Sequence, residues 1–164
     1  MNPPLSISVL DRSLLDAVVR RDPLAVRRAL ETGANPNAAD PRTGITAAIY
    51  AVSLDMSNVY RPQILKSLAE WDADFGKADH NGSTPLHEAA LRGDTTSVEF
   101  LLKQKAPIEA KNAQGKTPLR VALDHALHTG RTAMMNLLIA RGASMKTKDG
   151  DGLTLLQAAE KNKD

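Results

Sequence analysis

The stretch of sequence that decides the fold is Asn81-Gly82-Ser83-Thr84-Pro85-Leu86-His87-Glu88-Ala89-Ala90. It recurs as Gln114-Gly115-Lys116-Thr117-Pro118-Leu119-Arg120-Val121-Ala122-Leu123, which places Gly115 33 residues after Gly82. Self-similarity at a fixed period of roughly 20–50 residues is the signature of repeat architectures, in which each copy is one structural unit. The chain is therefore expected to be a stack of similar units.

Weaker copies of this motif flank the two strong ones, and a second motif closes each unit. The weaker opening copies are Thr43-Gly44-Ile45-Thr46-Ala47-Ala48 and Asp151-Gly152-Leu153-Thr154-Leu155-Leu156. The closing motif is found at 33–38, 72–75, 105–108 and 142–145. Because opening motif, closing motif and period agree, the repeat covers most of the chain.

The opening motif has the chemistry of a turn that leads into a helix. Gly82 tolerates the positive φ that such a turn needs. Thr84 suits a helix N-cap, and Pro85 suits the first helical position, where no hydrogen bond is lost. Further on, Val98 and Leu101 have the spacing of one apolar stripe on a second helix. Each unit is therefore predicted to be a helical hairpin.

In these features the sequence strongly resembles the ankyrin-repeat family, whose units read G-x-T-P-L-H-x-A-A and close on G-A. The resemblance covers the chain from about Ser13 to the end. It implies an all-α solenoid of stacked helix-turn-helix units with hairpin finger loops, forming a single domain over 1–164. The units are expected at about 10–39, 40–78, 79–111, 112–148 and 149–164, with the first and last acting as caps. In the first unit the helices are expected near Leu14–Arg20 and Pro23–Thr32.

Two units are longer than the strongest copy. Gly44 and Gly82 are 38 residues apart, and Gly115 and Gly152 are 37 apart. The excess is expected between the two helices of each unit, at 54–62 and 125–131.

The excess has two interpretations. One is a longer helix or a neutral loop, which solenoids tolerate. The other is a set of additional partner contacts along one edge of the stack. Tyr60 and Arg61 favour the second interpretation for the first insertion, because Tyr and Arg are frequent interface anchors.

The few aromatic residues have expected places in the stack. Trp71-Asp72 replaces the residue-Gly pair that ends the family's second helix. Trp71 is expected either part-exposed near the fingers or filling the core. Phe75 is expected in the core, and Tyr50 is expected to face the concave groove.

Composition excludes several classes of function. The net charge is +2 with no block of like charge, so nucleic-acid binding is not expected. There is no cysteine, which rules out disulfides, and no apolar run approaches the length of a membrane span. Residues 1–8 lack the regions of an export signal, so a cytoplasmic protein is expected. The alternative is a periplasmic or secreted protein whose signal peptide has been removed.

No candidate catalytic or metal site stands out. His87 is expected to hydrogen-bond within the repeat framework, as the resemblance implies. His125 and His128, with Asp124, are interpreted as polar surface rather than metal ligands. The run 148–152 resembles part of a calcium loop, but its register favours a finger turn. The protein is expected to have no cofactor and no enzymatic activity.

The resemblance implies that a protein partner is bound on the concave face, by finger and first-helix positions. The residues predicted to bind it include those of the edge that carries the two insertions, which we call the insert edge. They are Arg42, Thr43, Ile45, Leu54, Tyr60, Arg61, Trp71, His80, Asn81, Ser83, Leu91, Arg92, Gln114, Lys116 and Asp124. Basic residues between Lys111 and Lys148 suggest an acidic patch on the partner.

The expected function is binding of one specific protein by a chain that is monomeric alone. Occlusion of the partner is the simplest mechanism, so the chain is interpreted as an inhibitor, immunity-type or regulatory protein of an enzyme. The alternative is an adaptor or assembly factor that bridges two proteins.

Overall fold

The computed structural model describes residues 7–54 and 59–161, so residues 55–58 of the first insertion lie outside it. Within these ranges the chain forms nine α-helices. They are α1 Val9–Val19, α2 Pro23–Glu31, α3 Ala47–Ser53, α4 Tyr60–Glu70, α5 Pro85–Arg92, α6 Thr95–Lys103, α7 Pro118–Thr129, α8 Ala133–Ala140 and α9 Leu155–Lys161. The all-α repeat solenoid predicted from the sequence is confirmed.

The helices form two layers. The first helices of successive units, α1, α3, α5, α7 and α9, pack side by side in one layer, while α2 packs against α4 in the other. Alanines make the first layer tight: Ala47, Ala51, Ala89, Ala90 and Ala122 are all buried. Because these side chains are small, neighbouring helices approach closely, and the buried leucines and valines of the same helices complete a continuous core.

The predicted helix starts are confirmed at the strong motifs. Thr117 precedes α7, and its hydroxyl accepts a hydrogen bond from Arg120 N at 3.3 Å. Thr84 precedes α5 in the same way, and a proline follows each threonine at the first helical position.

The first helix begins earlier than predicted. It starts at Val9 instead of Leu14, because Ser8 caps it by accepting a hydrogen bond from Asp11 N at 3.0 Å.

The excess of the fourth unit is helix rather than loop. The helix α7 has 12 residues, against eight in α5, and both start on the same Thr-Pro pair. Four residues add about one turn, or about 6 Å of length. In the second unit, α4 has 11 residues against nine in α6. Both of these helices end one residue before the same type of turn, so the additional residues of α4 lie at its N-terminus.

The residue pair Trp71-Asp72 ends α4 with the same backbone conformation that glycine provides elsewhere. Asp72 has a φ of 56°, and Lys105 has a φ of 63° at the end of α6. Both stand where the other units have Gly33 and Gly142. The turn is thus kept without glycine, at the cost of a left-handed backbone that side chains disfavour. Phe75, three residues later, is buried as predicted and meets the ring of Phe100 edge-on at 5.8 Å.

Candidate protein-binding surface

Each finger is built on one side-chain oxygen. In the third unit Asp79 Oδ1 accepts hydrogen bonds from Asn81 N at 2.9 Å and Ser83 N at 2.8 Å. Equivalent turns form on Asp40, Asn112 and Asp149. The finger-turn interpretation of 148–152 is therefore confirmed.

These hydrogen bonds favour the ionised form of the carboxylates. The N–H of Arg42 lowers the pKa of Asp40, an effect that burial opposes and the N–H of Thr43 reinforces. Burial would raise the pKa of Asp149, but hydrogen bonds from Leu153 and the charge of Arg120 outweigh it and the pKa is lowered. The finger turns built on Asp40 and Asp149 are therefore held by carboxylates that stay charged.

Successive fingers are tied to one another through their backbones. His80 N donates to Thr43 O at 2.9 Å, Ala113 N donates to Asn81 O at 2.8 Å, and Gly150 N donates to Gln114 O at 3.0 Å. The approach is so close that a Cβ placed on Gly115 would lie 2.5 Å from Gly150 N. The fingertips form one continuous ladder, so their side chains project from a rigid frame.

His87 links its own helix to the next finger. Its Nδ1 accepts a hydrogen bond from Thr84 N at 3.2 Å and lies 2.9 Å from Thr84 Oγ1. Its Nε2 lies 2.9 Å from Lys116 O. Since a backbone N–H only donates and a carbonyl only accepts, the ring is neutral with its proton on Nε2. Burial lowers the pKa of His87, although the Lys116 carbonyl and the Asp79 carboxylate oppose that effect. The predicted structural role of His87 is confirmed.

In the fourth unit an arginine takes the position of this histidine. Arg120 Nε lies 3.1 Å from Asp124 Oδ1, and a second guanidinium nitrogen bonds to Asp149 in the next finger. Lys116 Nζ lies 2.7 Å from Asp124 Oδ2. Lys116 and Asp124, both predicted to bind a partner, are thus paired with each other. Lys111 and Lys148 remain exposed at this end of the row.

The predicted fingertip residues lie in one row along the ladder. Arg42, Asn81 and Gln114 are exposed, and their side chains make no hydrogen bond to any residue that the structure describes. His80 is also exposed, with Nδ1 3.1 Å from Arg42 O, while Thr43, Ile45 and Ser83 are half-buried beside the row.

The inner positions of α5 complete the row. Leu91 is 49% exposed, and Arg92 is exposed with its Nε 3.8 Å from the carboxylate of Glu88. Burial raises the pKa of Glu88, an effect that Arg92 opposes. The concave face therefore offers a free apolar side chain beside a weakly paired cation.

The residues of the insert edge are used differently from the fingertip row. Arg61 is inside the fold, since its Nε lies 3.2 Å from Ala51 O, a terminal nitrogen lies 3.0 Å from Leu54 O, and the other lies 2.5 Å from Asp94 Oδ2. The guanidinium therefore bridges two units, whereas the neighbouring Tyr60 is 43% exposed.

Trp71 lies between the two places predicted for it. It is half-buried against the core, and the guanidinium carbon of Arg27, from the preceding unit, lies 5.8 Å from the centre of its ring. Arg27 also pairs with Glu31 at 3.1 Å. The arrangement is a cation–π contact that joins the first two units.

The N-terminal end of the concave face includes residues that the sequence did not single out. A cavity of about 390 Å³ is lined by Arg12, Asp16 and Val19 of α1 together with Arg42 and Tyr50. Tyr50 thus faces the groove as predicted.

The first unit lacks the finger motif, so its inner positions were missed. The sequence signal that could have aligned the first unit with the third is Arg21-Asp22, which corresponds to Gly93-Asp94. Arg21 has a φ of 61°, and Asp22 caps α2 as Asp94 caps α6.

Metal binding and membrane insertion find no support in the described part of the chain. Residues 7–54 and 59–161 contain no group of three histidines or carboxylates placed to hold a metal ion. His128 instead lies with Nδ1 2.7 Å from the backbone oxygen of Asp124. Over the same residues, no helix is both long enough and apolar enough to cross a bilayer.

A rigid ladder of fingers along stacked helical hairpins defines a repeat-solenoid binding module, in which each unit contacts only its neighbours. A family model described as ankyrin repeats (3 copies) matches residues 14–112 and 56–149. The chain belongs to the ankyrin-repeat family, whose general role is protein–protein interaction without catalysis.

Several relatives support the assignment. The chain is 34% identical over 112 residues to ankyrin repeat domain-containing protein 13C of Homo sapiens, covering 67% of this chain and 20% of that protein. It is 36% identical over 78 residues to ADP-ribosylation factor GTPase-activating protein AGD2 of Arabidopsis thaliana, or 48% and 10% of the two chains. With SH3 and multiple ankyrin repeat domains protein 2 of Homo sapiens the identity is 28% over 141 residues, or 86% and 7%. The chain spans a fifth or less of these relatives.

Proposed function

We propose that the chain binds one protein partner across its concave face and acts by covering a functional surface of that partner, as an inhibitor or regulatory protein of an enzyme does. The observation that carries the proposal is the unpaired row of Arg42, Asn81, Leu91 and Gln114 on a frame fixed by finger-to-finger hydrogen bonds. A fixed frame loses little conformational freedom on binding, which favours tight, specific association.

The ion pairs of the fourth unit refine the expected partner chemistry. Lys116 is neutralised by Asp124, so the acidic patch expected on the partner would meet Lys111 and Lys148 instead. At the other end, Arg12 and Arg42 line the groove together with Asp16 and Asp40, so the charges there are balanced. Carboxylates of the partner are therefore expected at the end of the row near Lys111 and Lys148, with apolar contacts at Leu91.

The test is capture of partners with the tagged chain and with the variant Arg42→Glu, Leu91→Glu and Gln114→Glu as the matched control. None of these three side chains makes a hydrogen bond or an ion pair with a described residue, so the melting temperature is expected to change only slightly, chiefly through the lost attraction between Arg42 and Asp40. A protein captured by the natural chain only is then purified and titrated. The proposal expects one-to-one binding that suppresses the partner's activity. Binding that survives in the triple variant would place the site elsewhere.

The adaptor alternative is favoured by a separate observation, the taller second and fourth units along the edge opposite the fingers. It predicts that two purified partners bind the chain at the same time. Competition between them for the chain would exclude it.

A further inference from the structure

The helix α9 carries a leucine at a core position of the repeat, yet that leucine is exposed. Leu156 stands two residues after the threonine of its finger, as Leu86 and Leu119 do in the third and fourth units. Leu86 and Leu119 are 0% and 1% exposed, whereas Leu156 is 69% exposed. The same side chain is therefore in the core of two units and on the surface of the fifth.

The complete units show which element belongs beside this position. In the third unit α6 packs against α5, and in the fourth unit α8 packs against α7. Over residues 7–54 and 59–161, the fifth unit has only its first helix, α9, which packs against α7. The face of α9 that carries Leu156 thus lacks the second helix that a complete unit places there.

The loop after α8 extends the exposed apolar surface. Met145 is 54% exposed, although Phe75, at the same position in the second unit, is 4% exposed. The backbone oxygen of Met145 accepts a hydrogen bond from Leu155 N at 3.4 Å, so Met145 and Leu156 are neighbours in space. We call the surface formed by these two side chains the end ledge.

The opposite end of the stack differs from the end ledge. Phe100 packs on the ring of Phe75 in the preceding unit, and Arg28 has the position of Phe100 in the first unit. A polar residue at such a position is what a terminal unit needs. Leu24 is exposed at that end, but it corresponds to Thr96, which is also exposed. Only the C-terminal end therefore exposes an apolar residue at a core position.

Two charged side chains lie beside the end ledge. Lys146 has the position of Glu109, whose carboxylate accepts a hydrogen bond from Ser144 N of the next unit at 2.7 Å. Lys146 is exposed and makes no ion pair with a described residue, and its ammonium group only donates. Glu160, exposed as well, has the position of the buried Ala90. An occupant with a carboxylate near Lys146 and a basic group near Glu160 is complementary.

We propose that the end ledge binds an amphipathic helix of a partner protein, which takes the place that the second helix has in a complete unit. Its apolar side chains cover Leu156 and Met145, and they have the i, i+3, i+4 spacing of Val98, Leu101 and Leu102 in α6. The site contains none of the residues of the concave face and does not depend on the function proposed for that face.

The probe is a displayed library of random 16-residue peptides, selected on the whole chain. Enriched peptides are synthesised and titrated by fluorescence anisotropy against the natural chain, against Leu156→Asp and against the matched control Leu24→Asp. Both leucines are 69% exposed, so both variants are expected to keep the fold. The proposal expects a group of peptides with apolar residues at i, i+3 and i+4. Their affinity should fall about tenfold or more in Leu156→Asp and less than about twofold in Leu24→Asp.

A third variant tests the charge. Lys146→Glu is expected to weaken the same peptides several-fold, and most strongly at low salt.

The proposal is overturned if no selected peptide loses affinity in Leu156→Asp, or if those that do lack apolar residues at helical spacing. Sedimentation of the chain alone tests a second copy as the occupant. A dimer that Leu156→Asp converts to a monomer would also overturn the proposal of a partner helix. Peptides that respond only to Arg42→Glu, Leu91→Glu and Gln114→Glu would overturn the end ledge while leaving the concave-face proposal intact.

Discussion

Nε2 of His87 donates a hydrogen bond to the backbone oxygen of Lys116, 2.9 Å away in the finger of the next unit. The same ring receives the N–H of Thr84 at the start of its own helix. One neutral imidazole therefore holds a helix start and an inter-unit contact together. Protonation would remove the acceptor that Thr84 needs, which makes the ring a point of acid sensitivity.

The first prediction concerns pH. The pKa of His87 lies below its ordinary value of 6.5, so the unfolded chain binds more protons than the folded chain as the pH falls through that value. The free energy of unfolding is expected to decrease from about pH 7.5 to about pH 5. In His87→Gln this decrease should be smaller. At neutral pH the free energy of unfolding of the variant should lie about 1–3 kcal/mol below that of the natural chain. Urea unfolding at the two pH values measures both.

Glutamine is the suitable replacement because Gln157 has the same position in the fifth unit, where its side-chain oxygen accepts from Thr154 N at 2.9 Å. The control is His128→Gln on the exposed end of α7, which should keep the pH dependence of the natural chain. An unaltered pH dependence in His87→Gln would show that other groups cause it.

The second prediction concerns Arg61. Its side chain is 11% exposed and that of Asp94 is 14% exposed, so the ion pair is nearly dry. Removing one partner leaves a buried charge uncompensated, and Arg61→Ala is expected to cost about 2–4 kcal/mol. Arg61→Lys should recover only part of this, because an ammonium lacks the planar fork that reaches three oxygens. Arg92→Ala, which breaks an exposed 3.8 Å pair, should cost less than about 0.5 kcal/mol.

These values are measured as free energies of unfolding in urea. Equal costs for Arg61→Ala and Arg92→Ala would mean that the Arg61 guanidinium is solvated in solution and does not bridge the second and third units.

The third prediction concerns two of the three non-glycine residues that have left-handed backbone at helix ends in the described part of the chain, those that end α4 and α6. Asp72 and Lys105 have φ values of 56° and 63°. Glycine relieves that strain but adds freedom to the unfolded chain, so Asp72→Gly and Lys105→Gly are each expected to stabilise by about 0.5–1 kcal/mol. Lys66→Gly, in the exposed middle of α4, should instead destabilise by about 1 kcal/mol. Melting temperatures that fall in all three variants would contradict the strain argument.

The fold was predictable because successive units carry the same types of residue at the same positions. Thr-Pro starts, buried alanines and a fixed period specify the same local structure in successive units, and each unit supports its neighbour. The starting point of α1 was not predictable from the repeat, because the first unit lacks the finger motif and Ser8 provides an independent cap.

The binding surface was less predictable, for a physical reason. A side chain is free to bind a partner only if no neighbouring group already pairs with it. The groups that do so often come from distant positions in the sequence. Arg61 meets Asp94 from 33 residues away, while Lys116 meets Asp124 across the start of its own helix. Sequence position identified both as surface candidates but contained no information on these pairings. The length of the fourth unit likewise gave four extra residues without deciding between a loop and a helical turn.

The last prediction separates two uses of glycine. Gly115 and Gly130 both have positive φ, at 66° and 72°, but only Gly115 faces another backbone, with a Cβ position 2.5 Å from Gly150 N. Gly130→Ala should cost about 1–2 kcal/mol for the left-handed conformation alone. Gly115→Ala must also push the next finger away, so we expect about 3 kcal/mol or more and the loss of the hydrogen bond from Gly150 N to Gln114 O. Urea unfolding gives the two costs, and faster hydrogen exchange at the Gly150 amide reports the broken bond. If Gly115→Ala proved as mild as Gly130→Ala, with that amide still protected, the finger ladder would be flexible enough to part and the fixed frame proposed for partner binding would be wrong.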